Sequence, residues 1–112
     1  GTGPNDPGCG MQRNGRWAMD GVTWNGVHSS LRGQSNEILR RDMLRTLVAN
    51  QALTALQFGA LLDLFDNEIY RMEIARIGAP LVVNPSHAVG FSNKFSNSFY
   101  ARDFVTLMSQ QR

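Results

Sequence analysis

Cysteine is nearly absent from this chain. Cys9 is the single thiol in 112 residues, which excludes an internal disulfide and a cysteine-based zinc site. Histidine is almost as scarce. His28 and His87 stand far apart, without the paired spacing on one helix face that a metal centre uses, so no metal and no cofactor are expected. Lysine occurs once, as Lys94, and the other ten of the eleven basic residues are arginine. A GC-rich coding genome accounts for that bias more simply than selection for bidentate anion recognition. An excess of one charge is missing too. The formal net charge is +2, from 11 basic and 9 acidic residues, which argues against a strong polyanion-binding surface. No run of about 18 apolar residues exists to span a membrane. No secretory signal pattern opens the chain. It starts at Gly1 rather than Met and reads as a segment of a longer protein.

What is present suffices for one domain. Hydrophobic residues make up 42% of the chain, and a domain of this length buries roughly 60–65% of its unfolded surface. Residues 1–16 differ from the rest. Gly1, Gly3, Gly8, Gly10 and Gly15 are joined by Pro4 and Pro7, a composition that reads as a flexible linker or tail. As an anion-binding loop it lacks a preceding strand and the Gly-Lys-Ser/Thr ending of a phosphate loop.

From Trp17 to residue 112 the pattern is helical. Phe58, Leu61, Leu62 and Phe65 fall at i, i+3, i+4, i+7, one face of a 3.6-residue period, and Thr54 is placed to cap that helix. Tyr70, Ile74 and Ile77 mark a helix from Asn67 to Gly78, with Gly78 suited to its end and Pro80 barring continuation. Tyr100, Phe104, Leu107 and Met108 mark the last.

These elements recur. Tyr70, Ile74 and Ile77 return as Tyr100, Phe104 and Leu107 at an offset of 30, and Phe65-Asp66-Asn67 returns as Phe95-Ser96-Asn97. Asp20, Thr54 and Asn84 each stand 11 residues before Leu31, Phe65 and Phe95, and second helices open at Asn36, Asn67 and Asn97. Asn84-Pro85 suits a helix start. The pattern predicts an all-α fold of about six short helices, arranged as three stacked helix–turn–helix units at 20–50, 54–80 and 84–111.

The ordered motifs resemble the bacterial helical domain of unknown function family 4476. The likeness rests on Met19-Asp20 with Trp24, on Leu53-Thr54-Ala55-Leu56-Gln57 leading to Leu61 and Phe65, on Arg71-Met72-Glu73-Ile74-Ala75, on Val82-Val83-Asn84-Pro85, and on Phe95-Ser96-Asn97. It spans roughly residues 18–110. The resemblance implies a helical repeat domain of secreted or envelope-associated bacterial proteins, following a linker and without assigned catalytic residues.

Each candidate for chemistry has a structural alternative. His28-Ser29-Ser30 places a base beside hydroxyls, but helix neighbours point about 100° apart, which is not a dyad geometry. Asp42, Glu73 and Asp103 stand six residues after the three asparagine caps and could line up as an acidic row for a cation or a basic partner. The simpler reading is a repeated solvent-side position with local partners such as Arg76. Arg40, Arg41 and Arg45 form a basic cluster for phosphates or an acidic protein, or a solvated face paired with Glu37. The aromatics Phe58, Phe65, Tyr70, Tyr100 and Phe104 at helical spacing read as core rather than as a groove. The expected function is a non-catalytic protein-interaction or scaffolding module, not an enzyme, with another protein as partner. Its surface would comprise Arg40, Arg41, Arg45, Asp42, Glu73 and Asp103. The alternative is a nucleic-acid-binding helix–turn–helix that uses the arginine cluster.

Overall fold

A computed structural model describes residues 2–111. The chain is mostly helical, with one small two-stranded sheet. Strands β1 (Gln12–Arg13) and β2 (Arg16–Trp17) precede helices α1 (Gly21–Arg32), α2 (Glu37–Val48), α3 (Ala55–Leu62) and α4 (Glu68–Gly78). A short 3-10 turn (Ala79–Leu81), a longer 3-10 segment (Pro85–Lys94) and helix α5 (Ser98–Ser109) complete the order.

The helix starts follow from side chains that accept the otherwise unpaired N–H groups of a first turn. Asp20 Oδ1 accepts from the Thr23 N–H at 2.7 Å. Asn36, Asn67 and Asn97 each accept two first-turn N–H groups with Oδ1. Thr54 forms a reciprocal capping box: its hydroxyl accepts from the Gln57 N–H at 3.1 Å, and Gln57 Oε1 accepts from the Thr54 N–H at 2.9 Å.

Packing pairs α1 with α2, α3 with α4, and the long 3-10 segment with α5, and α4 lies against both α2 and α5. The burial pattern matches. α2 buries Leu44 and Val48, α5 buries Phe104 and Met108, and α4 buries Met72, Ile74 and Ala75. Phe58, Phe65 and Phe104 are fully buried, as their spacing predicts. The Phe58 and Phe104 rings stack 6.2 Å apart. The segments that lead into the three helical pairs also touch, through parallel bridges Ala18–Ala52 and Leu53–Val82.

Two local expectations are corrected. Asn84 does not cap the element it precedes. Its Oδ1 accepts instead from the Ala55 N–H of α3 at 2.9 Å. The element that follows it is 3-10 rather than α. Helix α4 ends at Gly78, as expected, with right-handed backbone angles there, φ −86°. A side chain there would meet the Phe58 ring at 2.7 Å, so glycine permits the close approach of α3 and α4.

Within residues 2–17, whose composition suggests a linker, the chain forms a hairpin. Asn14 (φ 54°) and Gly15 (φ 75°) make the two-residue turn that twist-matches a hairpin, with Gln12 opposite Trp17 and Arg13 opposite Arg16. Arg13 Nη1 donates to the Val82 carbonyl at 2.9 Å, and Nη2 to Gln111 Oε1 at 3.2 Å. Asp6 is buried and accepts from the Thr54 hydroxyl at 2.7 Å, from the Gly8 N–H at 3.0 Å and from the Thr2 N–H at 2.9 Å. Burial raises the Asp6 carboxyl, but these hydrogen bonds outweigh it and hold the group below the usual carboxylate value. Gly8 sits tightly on Thr54 and Asn84. Polar anchoring, which hydrophobic periodicity does not register, seats this segment. Gly1 and Arg112 lie outside the described residues.

Candidate functional surface

The residues nominated from sequence all lie on α2, α4 and α5, in recurring positions counted from the asparagine caps. Two residues after each cap stand Ile38, Ile69 and Phe99, with 47%, 56% and 68% of their surface exposed. Six residues after each cap come Asp42, Glu73 and Asp103. Nine after come Arg45, Arg76 and Thr106, all exposed. Positions two, six and nine share one helix face, being spaced by four and three. The three helices therefore display an apolar position, an acid and a more polar position in the same order along their outward faces.

The acids are paired with arginines, though not as expected. Arg41 Nη1 donates to Glu73 Oε2 across the α2–α4 junction at 2.9 Å and also meets Asp42 at 3.4 Å. The Glu73 hydrogen bond raises the Arg41 guanidinium further above its already high value. The partner of Glu73 is thus Arg41 on the neighbouring helix rather than Arg76 on its own. On α5, Arg102 pairs with Asp103 at 3.2 Å and lies over the Phe99 ring, 5.4 Å from its centroid.

The arginine cluster is divided between roles. Arg40 Nε donates to the Gln34 carbonyl at 2.8 Å, Nη1 donates to the Leu64 carbonyl, and the guanidinium lies 5.9 Å from the centre of the Phe65 ring. Arg41 serves Glu73 and Asp42, with its guanidinium 5.6 Å from the Tyr70 centroid. Arg45 alone stands exposed without a partner among the described residues. Glu37, the expected partner of Arg41, instead accepts from the N–H groups of Asp66 and Asn67 at 2.8 and 3.2 Å.

The same clamp returns 31 residues later, and periodicity of apolar residues gives no hint of it. Glu68 accepts from the Ser96 and Asn97 N–H groups at 3.0 and 3.1 Å and from the Ser96 hydroxyl. Those bonds, the Ser96 hydroxyl first, hold the Glu68 carboxyl below its ordinary value. Arg71 donates to the carbonyls of Leu62, Phe65 and Lys94 and lies 5.9 Å from the Phe95 centroid. Glutamate one residue after the cap and arginine four after it thus hold the next turn in place. The matching positions on α5 are Ser98 and Ala101, so α5 carries neither half of the clamp. The signal for this role was legible as Glu37/Glu68 and Arg40/Arg71 at one spacing.

The remaining candidates fall elsewhere. His28 stacks on Trp24, ring centroids 5.0 Å apart. Burial, aided by the Arg32 charge, depresses its pKa. Cys9 is exposed, its thiol directed at the Gly3 carbonyl. Among the described residues no group of three or more His, Cys, Asp or Glu side chains is placed to hold a metal ion, and no helix is long and apolar enough to cross a membrane. Tyr70 and Tyr100 are partly buried against the core.

Comparison with known proteins finds no matching family model, no matching curated protein and no matching solved structure.

Proposed function

We propose that this chain is a non-catalytic protein-interaction or scaffolding module, built from three copies of one stacked helical hairpin at 20–50, 54–80 and 84–111. The observation that carries this reading is the outward face of α2, α4 and α5. Ile38, Ile69 and Phe99 are exposed at equivalent positions, each followed one turn later by an acid. Exposed apolar groups in a row rimmed by charges fit a partner surface better than a solvated one. Stacked helical hairpins commonly present such a face. The partner it suits is another protein. Placement in a secreted or envelope-associated bacterial protein rests on the motif likeness described above.

The nucleic-acid alternative gains less support. Two of its three arginines are committed to internal carbonyls and carboxylates, and Asp42 stands one turn before the third on α2, where it would repel phosphates.

A photo-reactive aromatic residue placed at position 69 or 99 of the full-length protein, in its native cell, tests the reading. A discrete protein adduct is expected from both positions and not from Ser29, exposed on α1. Equal labelling at Ser29, or no discrete adduct at either position, overturns it.

A further inference from the structure

Helices α2, α4 and α5 run side by side in the same direction. Glu37 at the start of α2 reaches the Asn67 cap of α4, Arg41 reaches Glu73, and Glu68 at the start of α4 reaches the Asn97 cap of α5. Equivalent positions therefore form rows across the three helices. One row is Ile38, Ile69 and Phe99, all exposed. Seven residues on, about 10 Å along each axis, comes the row of Arg45, Arg76 and Thr106, also exposed.

The charges on these helices are not equally free. Every acid is engaged: Glu37 and Glu68 by main-chain N–H groups, Asp42 and Glu73 by Arg41, and Asp103 by Arg102. Arg40 and Arg71 donate to main-chain carbonyls. Among the described residues of the three helices, Arg45 and Arg76 are the charged side chains left without a partner. The face is thus apolar along one row and carries free positive charge along the next.

Arg76 also borders an open groove. Between α2 and α4, Arg41 crosses to Glu73. The matching position on α4 is the buried Met72, so no arginine crosses from α4 to Asp103. A groove of about 220 Å³ remains there, lined by Met72, Arg76, Asp103, Thr106, Leu107 and Gln110. Asp103 is paired with Arg102. The side chains of Arg76, Thr106 and Gln110 hold no partner among the described residues and can donate to an incoming carboxylate.

We propose that the partner of this face is an acidic amphipathic helix of another protein. Its apolar stripe packs on Ile38, Ile69 and Phe99, and its flanking carboxylates meet Arg45 and, beside the groove, Arg76. The inference rests on the interaction-face reading and adds the chemistry of the partner. The spacings suit a helix. The two rows stand about as far apart as a helix is wide, about 10–12 Å. Neighbouring helices pack about 8–10 Å apart, close to the rise of about seven residues in a helix laid across them. Carboxylates seven residues apart therefore reach both arginines. A DNA duplex suits the face less well. Its charge recurs about every 1.7 Å of axis, which would bring phosphates against the carboxylates and the apolar row as well as the arginines.

The test uses two fluorescent capped peptides, three repeats of Glu-Leu-Ala-Gln-Leu-Ala-Ala and three of Lys-Leu-Ala-Gln-Leu-Ala-Ala, followed by anisotropy at low salt. The glutamate peptide should bind with a dissociation constant on the order of 100 μM, at least about tenfold more tightly than the lysine peptide. Arg45→Glu with Arg76→Glu should reverse that preference. Arg45→Gln with Arg76→Gln, a milder change at the helix ends, should level the two affinities. Arg32→Glu, in the last turn of α1, should leave the preference within about twofold. Equal binding of both peptides by the native chain overturns the acidic partner; if Ile69→Ser with Phe99→Ser abolishes that binding, the interaction face still stands. No saturable binding of either peptide at about 1 mM overturns the proposal, and photo-crosslinking from positions 69 and 99 then decides the face separately. Tighter binding of a DNA duplex than of the glutamate peptide, lost in the double glutamine variant, overturns it in favour of nucleic acid.

Discussion

Replacing Arg71 with alanine isolates the clamp between successive helical pairs. The guanidinium donates to three main-chain carbonyls, with contacts of 3.2 Å to Leu62 and 2.9 and 2.6 Å to Phe65, and a further bond to Lys94. It also lies over the Phe95 ring. A hydrogen bond from a charged group contributes about 1.5–3 kcal/mol, so three carbonyls at the low end give about 4.5 kcal/mol. The side chain is only partly buried, and water replaces some of the lost donors, which brings the expected cost to about 2–4 kcal/mol. At roughly 4 °C per kcal/mol for a domain of this size, Tm should fall by about 8–16 °C. Arg71→Lys should lie between, because an ammonium cannot span three carbonyls as a planar fork does. The control is Arg102→Ala on α5, whose partners are its neighbour Asp103 and the exposed Phe99 ring; it should change stability by no more than about 0.5 kcal/mol. Urea unfolding followed by helical circular dichroism measures all three. A cost below about 1 kcal/mol for Arg71→Ala, or an equal cost for Arg102→Ala, would refute the clamp.

Thr54→Ala should cost about 2 kcal/mol by the same assay, about 1 for the lost cap and about 1 for the buried Asp6 carboxylate left short of a donor; a neutral result would contradict the buried Thr54–Asp6 bond. Because the folded pKa of Asp6 is depressed, its contribution is fully present above the unfolded value near about 3.9 and is lost as pH falls through the folded value. The stability gap between the native chain and Asp6→Asn should therefore narrow steadily below about pH 4, and a gap independent of pH would place that carboxyl in solvent. Phe58→Ala and Phe104→Ala should each cost about 3–5 kcal/mol, and a loss under about 1 kcal/mol at both would misplace the core. Duplex DNA binding should be weak at every salt concentration; sub-micromolar binding with a log–log salt slope near about −3, abolished by replacing Arg40, Arg41 and Arg45, would favour the nucleic-acid alternative.

The helices and their caps were legible in the residues themselves. Apolar spacing placed Phe58, Phe65 and Phe104 in the core, and Asp20, Asn36, Thr54, Asn67 and Asn97 announced five helix starts, because both signals act within one or two turns of chain. The hairpin was not read: Asn14-Gly15 is a hairpin-turn pair, but the glycine and proline around it read as a tail. Its seating depends on Asp6 reaching Thr54, 48 positions away, and a lone aspartate carries no mark of such a partner. Long reach also decided the candidate surface. Glu37 and Arg41 have the spacing of a local pair, yet each finds a better-placed partner on the next element: main-chain N–H groups for Glu37 and a carboxylate for Arg41. Asn84 shows the same division. Its place before Pro85 reads as a cap for the element it opens, while packing turns its oxygen to the Ala55 N–H of α3. Local sequence determines which backbone groups need a partner and which faces are apolar. Only the tertiary structure decides which of several competent polar side chains meets each need, because that depends on distances set by how the helices pack.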